Sequence, residues 1–498
     1  MLFHSPKFLF IFLPLTWIIY RALIGCRIYR VALGWLVLAS LVFYGYWNPP
    51  YVLLISASIL VNHFIGRKVC PALSPLSAGR RRWLLYTGLV FNLGLLGYFK
   101  YANFFLSTAN SMLGTSYNFG HVILPLAISF FTFTQIAYML DAYRGETGKY
   151  SLLEYSFFVT FFPHLIAGPI VQHYEIMPQV ERGDGFRFRR AHLAVGISVF
   201  IVGLFKKMVL ADGCAIYADP VFKLAAMQGI LASIDCWIGV LAYTFQLYFD
   251  FSGYSDMAIG LSYCFGFRLP LNFDSPYQAT SIVDFWRRWH ISLSRFLKKY
   301  LYFPLGGNRH GVLMRYRNLF LTMVLGGLWH GAGWNFVIWG ALHGFYLAAN
   351  HLYRDLLKHW NLTAPRNAFT DFGGWALTMF AVVIAWVFFR AQDFTTASWM
   401  LGRMFGFATE VRPGLDPDQM FASGDKFLWI AFVAGLAFLA PNSHQYFSRY
   451  QPALEETTPS KIKWRPSFLH GTLLGLMVFL VALKYFSLEP TTFLYFNF

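Results

Sequence analysis

The chain is 498 residues long, 57% apolar and only 13% charged, with a formal net charge of +17. Soluble domains carry about 25% charged residues, so a water-covered surface is excluded and the bilayer is the solvent. No soluble basic domain stands behind the positive balance, which excludes a nucleic-acid partner and leaves the positive-inside rule as its reading.

In chain order, apolar stretches recur at 8–24, 31–47, 50–66, 83–99, 119–140, 193–210, 231–249, 318–353 (two helices), 373–389, 425–440 and 469–486. The expected fold is an all-α polytopic membrane protein with about 11 membrane helices, since one span takes roughly 20 apolar residues. The first stretch follows Lys7 like a signal peptide. Arg21 interrupts it before Cys26 and no small-residue cleavage site follows, so an uncleaved helix is expected. Arg21, Arg27 and Arg30 lie between the first two spans, and Arg67, Lys68, Arg80, Arg81 and Arg82 between the third and fourth. The Asn48-Pro49-Pro50 link is uncharged. Alternation puts the basic loops in the cytoplasm and the N-terminus outside. Lys461, Lys463 and Arg465 precede the last span and put the tail, 487–498, outside as well.

Segment 152–170 breaks the alternation. Pro163, Gly168 and Pro169 predict a broken or re-entrant helix, tolerated at membrane depth only where protein or a water-filled cavity covers it. Lys206-Lys207 reads as a helix end at an interface. Asp250 and Asp256 read as structural, positioning helices or pairing with Arg or Lys. Segment 268–317 is the most basic, with nine Lys/Arg against Asp274 and Asp284. Within it, 284–303 has helical period. Trp286, Trp289, Leu293, Phe296, Leu297 and Tyr300 share one face, and Arg287, Arg288, Arg295, Lys298 and Lys299 the other, which predicts one amphipathic interfacial helix. There is no internal repeat, and residues 1–498 read as a single membrane domain whose most polar parts are 409–425 and 451–466.

Five scattered cysteines give neither a disulfide framework nor a zinc motif. HExxH, GxSxG and P-loop patterns are absent, and His343, His351 and His359 recur by eight, which drifts around a helix instead of forming a metal cluster. His330 stands apart, following the apolar run 319–329 in Gly327-Leu328-Trp329-His330-Gly331. An ionisable group deep in a membrane helix is a functional candidate, and a neutral imidazole suits a general base. From the residues alone, a structural histidine bonded between helices is an equal reading. His290 sits at the edge of the apolar face of the basic helix, where a headgroup-facing histidine is at least as good a reading. Nothing in the spacing of the two shows that they meet.

Several segments resemble, in order, a known family. They are Gly97-Tyr98-Phe99-Lys100-Tyr101-Ala102-Asn103, Phe162-Pro163-His164-Leu165-Ile166-Ala167-Gly168-Pro169, 246–256, Phe285-Trp286-Arg287-Arg288-Trp289-His290-Ile291-Ser292, 305–309 and Leu325-Gly326-Gly327-Leu328-Trp329-His330-Gly331. The family is that of the membrane-bound O-acyltransferases, most nearly the bacterial branch that acetylates polysaccharides such as alginate. The match covers most of 1–400, is poor over 405–465 and returns at the end of the chain. There, Phe493-Leu494-Tyr495-Phe496-Asn497-Phe498 is similar to a Phe-x-Tyr-x-x-Phe signature whose tyrosine is proposed to carry the acyl group. Without the resemblance that tail reads as an anchor in the aromatic belt.

The resemblance implies re-entrant segments around a central funnel open to the cytoplasm. It implies an essential His330, a second functional histidine at His290 and an acyl relay at Tyr495. It further implies an O-acetyltransferase of the bacterial cytoplasmic (inner) membrane, surrounded by lipid, with no metal and no bound cofactor. Acetyl-CoA is the implied donor, an extracytoplasmic polysaccharide the acceptor, and separate periplasmic acetyltransferase proteins the partners. Two alternatives remain: D-alanyl or other acyl transfer from a carrier protein, and a non-catalytic polytopic transporter.

Overall fold

The computed structural model describes residues 1–118, 120, 122–187, 189–362, 367–407, 425–487, 493 and 494. Among these the regular elements are helical, with strand-like pairing confined to the isolated pairs Leu269–Ala453 and Phe273–Trp289. Six helical segments are long and apolar enough to cross a membrane: Lys7–Gly25, Pro50–Val69, Ala78–Leu113, Arg190–Ala226, Ala368–Arg390 and Phe468–Phe486. Tyr29–Gly45 is apolar but shorter. The chain is thus a multi-pass, all-α membrane protein. It divides into two compact units, one of residues 1–201, 255–271 and 450–456, the other of 202–254, 272–449 and 457–498.

The first unit is built on α1 (Leu13–Gly25), α2 (Tyr29–Gly45), α3 (Pro50–Val69), α4 (Ala78–Leu96), α5 (Ala102–Leu113), α6 (Ile128–Arg144), α7 (Leu152–Thr160), α8 (Phe162–Leu165) and α9 (His173–Glu181). Apolar side chains gain little from meeting each other in lipid, so close packing and polar contacts hold such helices together. Gly66 leaves room for the Tyr138 ring and Gly88 for the Met139 side chain, which draws α3 and α4 onto α6. A buried amide ladder joins the same helices. Asn92 donates to Asn62 at 2.7 Å, and Gln135 donates to the Ser58 hydroxyl at 2.9 Å. The expected interruption of 152–170 is present. α7, capped by a Ser151/Glu154 box, stops at Phe161, and α8 is a single turn. Residues 161–173 are all buried, so their irregular backbone is covered by protein.

α10 (Arg190–Phe205) and α12 (Ser233–Cys264) contribute to both units. The helix end expected at Lys206-Lys207 is absent. The chain widens over Lys206–Ala211 and continues into α11 (Asp212–Ala226). Lys207 is buried because two carboxylates neutralise it, Asp212 at 2.6 Å and Asp250 at 2.9 Å. The pairing expected of Asp250 is therefore found.

The second unit continues with α13 (Ile282–Arg288), α14 (Ile291–Leu297), α15 (Gly311–His330), α16 (Trp334–His359), α17 (Ala368–Arg390), α18 (Phe394–Met404) and α19 (Asp425–Leu439). α15 and α16 pack closely, backbone against backbone. A Cβ on Gly327 would meet the Phe336 carbonyl, one on Gly340 the Met323 carbonyl, and one on Gly344 the Phe320 backbone. Glycine is required at this crossing because backbone, not side chain, occupies the space. All five cysteines are free, and only Cys26 is exposed.

Candidate active site

The apolar face expected of 284–303 is buried as a set, from Trp286 and Trp289 to Phe296 and Tyr300. The single helix expected there is not formed. α13 ends at Trp289, and His290 adopts φ 43°, ψ 56° before α14 begins. A non-glycine residue held left-handed costs roughly 1–2 kcal/mol and persists only where its surroundings impose it. The cause here is a clip with residues 272–274. The Ile291 N–H donates to the Asn272 carbonyl and the Asp274 N–H to the Arg288 carbonyl, each at 3.0 Å. Phe273 pairs antiparallel with Trp289, and Ser292 donates to the Asn272 side chain at 2.6 Å. These bonds replace the helical ones and turn the His290 ring into the protein, where it is fully buried. Burial pushes its imidazole down to about 3, because the cation would be stripped of water, so the ring is neutral.

His330 is the last residue of α15, which the extended Gly331 terminates. Its ring is buried against Trp329, Trp339 and Phe389, with centroids 5.0, 5.1 and 5.3 Å away. The two histidines, forty positions apart in the sequence, have ring centroids 6.3 Å apart. Five residues after His330, buried Asn335 ties the start of α16 to the end of α17 by donating to the Ala391 carbonyl at 2.7 Å.

Two other residues of the site, His343 and Phe251, carried no functional expectation. His343 is fully buried on α16, and the Trp286 indole donates to its Nδ1 at 3.2 Å. It lies edge-on to Trp339 at 4.8 Å. The sequence signal was available, an ionisable residue in an apolar helix, but the eight-residue spacing bears only on metal binding. Phe251 lies edge-on to His290 at 4.8 Å. Against Phe251 and Tyr254 packs Phe493 of the C-terminal tail, at 6.0 and 4.6 Å, and the next peptide, Leu494 N–H, donates to Asp250 Oδ2 at 3.0 Å. Tyr495 lies outside the described residues. Among the described residues no three potential metal ligands converge.

The membrane-bound O-acyltransferase family matches residues 142–391, a stretch that includes His290, His330, His343 and Asp250. The chain is 40% identical to the probable alginate O-acetylase AlgI of Pseudomonas putida, over all of both proteins. It is 39% identical to the peptidoglycan O-acetyltransferase of Helicobacter pylori, over all of this chain and 98% of that one. A more distant relative, the teichoic acid D-alanyltransferase of Streptococcus thermophilus, is 27% identical over 53% of this chain and 68% of its own. The chain belongs to the membrane-bound O-acyltransferase family and is an acyltransferase.

Proposed function

We propose that this protein acetylates an extracytoplasmic polysaccharide, with acetyl-CoA on the cytoplasmic side as donor and the bacterial inner membrane as its site. The observation that carries the reading is the buried His290–His330 pair, with ring centroids 6.3 Å apart among aromatic side chains. Full-length similarity to two polysaccharide O-acetylating proteins supports the substrate class. The D-alanylating relative covers only about half of the chain, which favours acetyl over D-alanyl transfer.

In this reading His330 is the general base and His290 donates a hydrogen bond to the developing oxyanion. Tyr495 is the relay. Its phenol oxygen adds to the thioester carbonyl, and its proton passes to His330. The carbon–sulfur bond then breaks, and the departing thiolate receives that proton as free CoA thiol. In the second half a hydroxyl of a periplasmic acetyltransferase partner adds to the acetyl carbonyl of the tyrosyl ester, the bond between that carbonyl carbon and the Tyr495 phenol oxygen breaks, and the proton of the hydroxyl returns to the phenol oxygen. A phenyl ester is a reactive acyl donor, so the second transfer runs downhill.

The test is acid-stable labelling of the purified chain by acetyl-labelled CoA. Wild type should take up label, and His330→Ala and Tyr495→Phe should not. Normal transfer by His330→Ala would remove the base role, and normal transfer by Tyr495→Phe would remove the relay. Labelling only from a D-alanyl carrier protein would establish the second reading. Mass spectrometry of cell polysaccharides with and without the protein identifies the acceptor.

A further inference from the structure

The Lys207–Asp250 pair lies in the second unit, and acyl transfer as proposed above has no use for it. Side-chain exposure is 2% for each partner. A buried ion pair in an apolar bundle is costly unless every lone pair and proton is satisfied. Lys207 is shared between Asp250 Oδ1 at 2.9 Å and Asp212 Oδ1 at 2.6 Å. One ammonium thus serves two carboxylates, and the second oxygen of Asp250 has to find a donor elsewhere. It finds the Leu494 peptide N–H, 244 positions along the chain, at 3.0 Å. The neighbouring Phe493 ring, 2% exposed, rests on Tyr254, one helical turn from Asp250 on α12. Close approach of α10 and α12 holds the pair in register, since a Cβ on Gly253 would press on the Gly203 carbonyl at 2.7 Å. From Phe493 the contacts run through Phe251 to His290.

We propose that Asp250, ion-paired to Lys207, is a positioning residue that docks the C-terminal tail by accepting the Leu494 N–H, and that acyl transfer depends on this docking. The proposal rests on the reading that the tail takes part in transfer at the histidine pair. A peptide N–H is the donor, so docking fixes the tail's register without regard to the side chain at 494. Lys207 keeps the acceptor charged and aimed, and Phe493 fills the apolar seat beside it.

The test uses the full chain in lipid with Leu494→Cys as reporter and Cys26→Ser to remove the exposed native thiol. Leu494 is 8% exposed, so its cysteine should react slowly with a membrane-impermeant maleimide. Asp250→Ala is expected to speed labelling at least tenfold. In the chain without the reporter it should lower kcat for acetyl transfer at least tenfold, with KM for acetyl-CoA within twofold. Asp250→Asn keeps an acceptor oxygen and should hold labelling within threefold of the parent, with most of kcat rescued. Should Asp250→Ala fail to accumulate, the pair Lys207→Met with Asp250→Leu removes the acceptor without leaving a lone lysine, and it must expose the reporter equally. Unchanged labelling in these variants overturns the docking. A protected reporter with kcat lost equally in Asp250→Asn and Asp250→Ala also overturns it, in favour of a direct chemical role for the carboxylate. Labelling does not require turnover, so the two ideas fail separately. Normal acetylation by Tyr495→Phe, with the tail still exposed by Asp250→Ala, removes the relay and leaves the docking in place.

Discussion

His290 carries two burdens, a left-handed backbone and a buried neutral ring, and substitutions separate them. Ala keeps the strain and loses the donor. Loss of one donor to an oxyanion costs about 10²–10³-fold in kcat, so His290→Ala is expected to fall by that much with KM for the donor nearly unchanged. Asn tolerates the left-handed region and retains an N–H donor, so His290→Asn should recover about tenfold of that loss. Equal activity of the two variants would show that the ring serves packing alone. The strain at this residue was not legible from sequence. The helical period of 284–303 is satisfied by the observed burial, yet bonds to 272–274 override it, and no local pattern announces such a clip.

Legibility at the level of elements followed the range of the interactions. The break in 152–170 was readable because Pro163, Gly168 and Pro169 act on their own backbone. The shared apolar face of Trp286 through Tyr300 was readable from its 3.6-residue period, but not that this face meets protein instead of the membrane interface. Lys206-Lys207 misled, because a lysine pair resembles a helix end until its partners are known, and Asp250 lies 43 positions from Lys207 (250 − 207). The α15–α16 hairpin supplies a sharp test. Gly340→Ala should destabilise the protein by about 1–3 kcal/mol through overpacking, because the Met323 carbonyl cannot yield as a side chain would. Gly435→Ala on α19, with nothing within 4 Å of the added methyl, should leave thermal stability in detergent unchanged or slightly raised, because alanine favours the helix. Equal effects from the two would mean that the hairpin is looser than described.

For the molecule as a whole, charge asymmetry predicts orientation and the fold supplies the places to measure it. α3 has an uncharged link before it, and Arg67 and Lys68 at its last turn. Pro49 and Ala72, just beyond its two ends, are both exposed. In a background lacking Cys26, a thiol at 49 should react with an impermeant reagent in intact cells, and a thiol at 72 only after the membrane is opened. Labelling of both from outside would overturn the positive-inside assignment. The membrane class and the six long apolar helices were legible because hydropathy is summed over many residues; the other stretches of the expected set of about 11 do not form helices long and apolar enough to cross among the described residues. The meeting of His290 with His330 was not legible, since it depends on where the Gly-terminated α15 stops.

The walls around His330 are aromatic and belong to other residues, so they outlast its removal. His330→Ala leaves a ring-sized hole between Trp329, Trp339 and Phe389, each about 5 Å from the lost centroid. It opens at the negative pole of a helix, which favours a cation there. Added free imidazole should therefore occupy the hole, take up the proton and restore acetyl transfer in a saturable way. Cyclopentane-like molecules of the same size should compete with it and restore nothing. The hole is a small-molecule receptor made by deletion, and the concentration of imidazole at half-rescue measures how well the cage was shaped for the ring it lost.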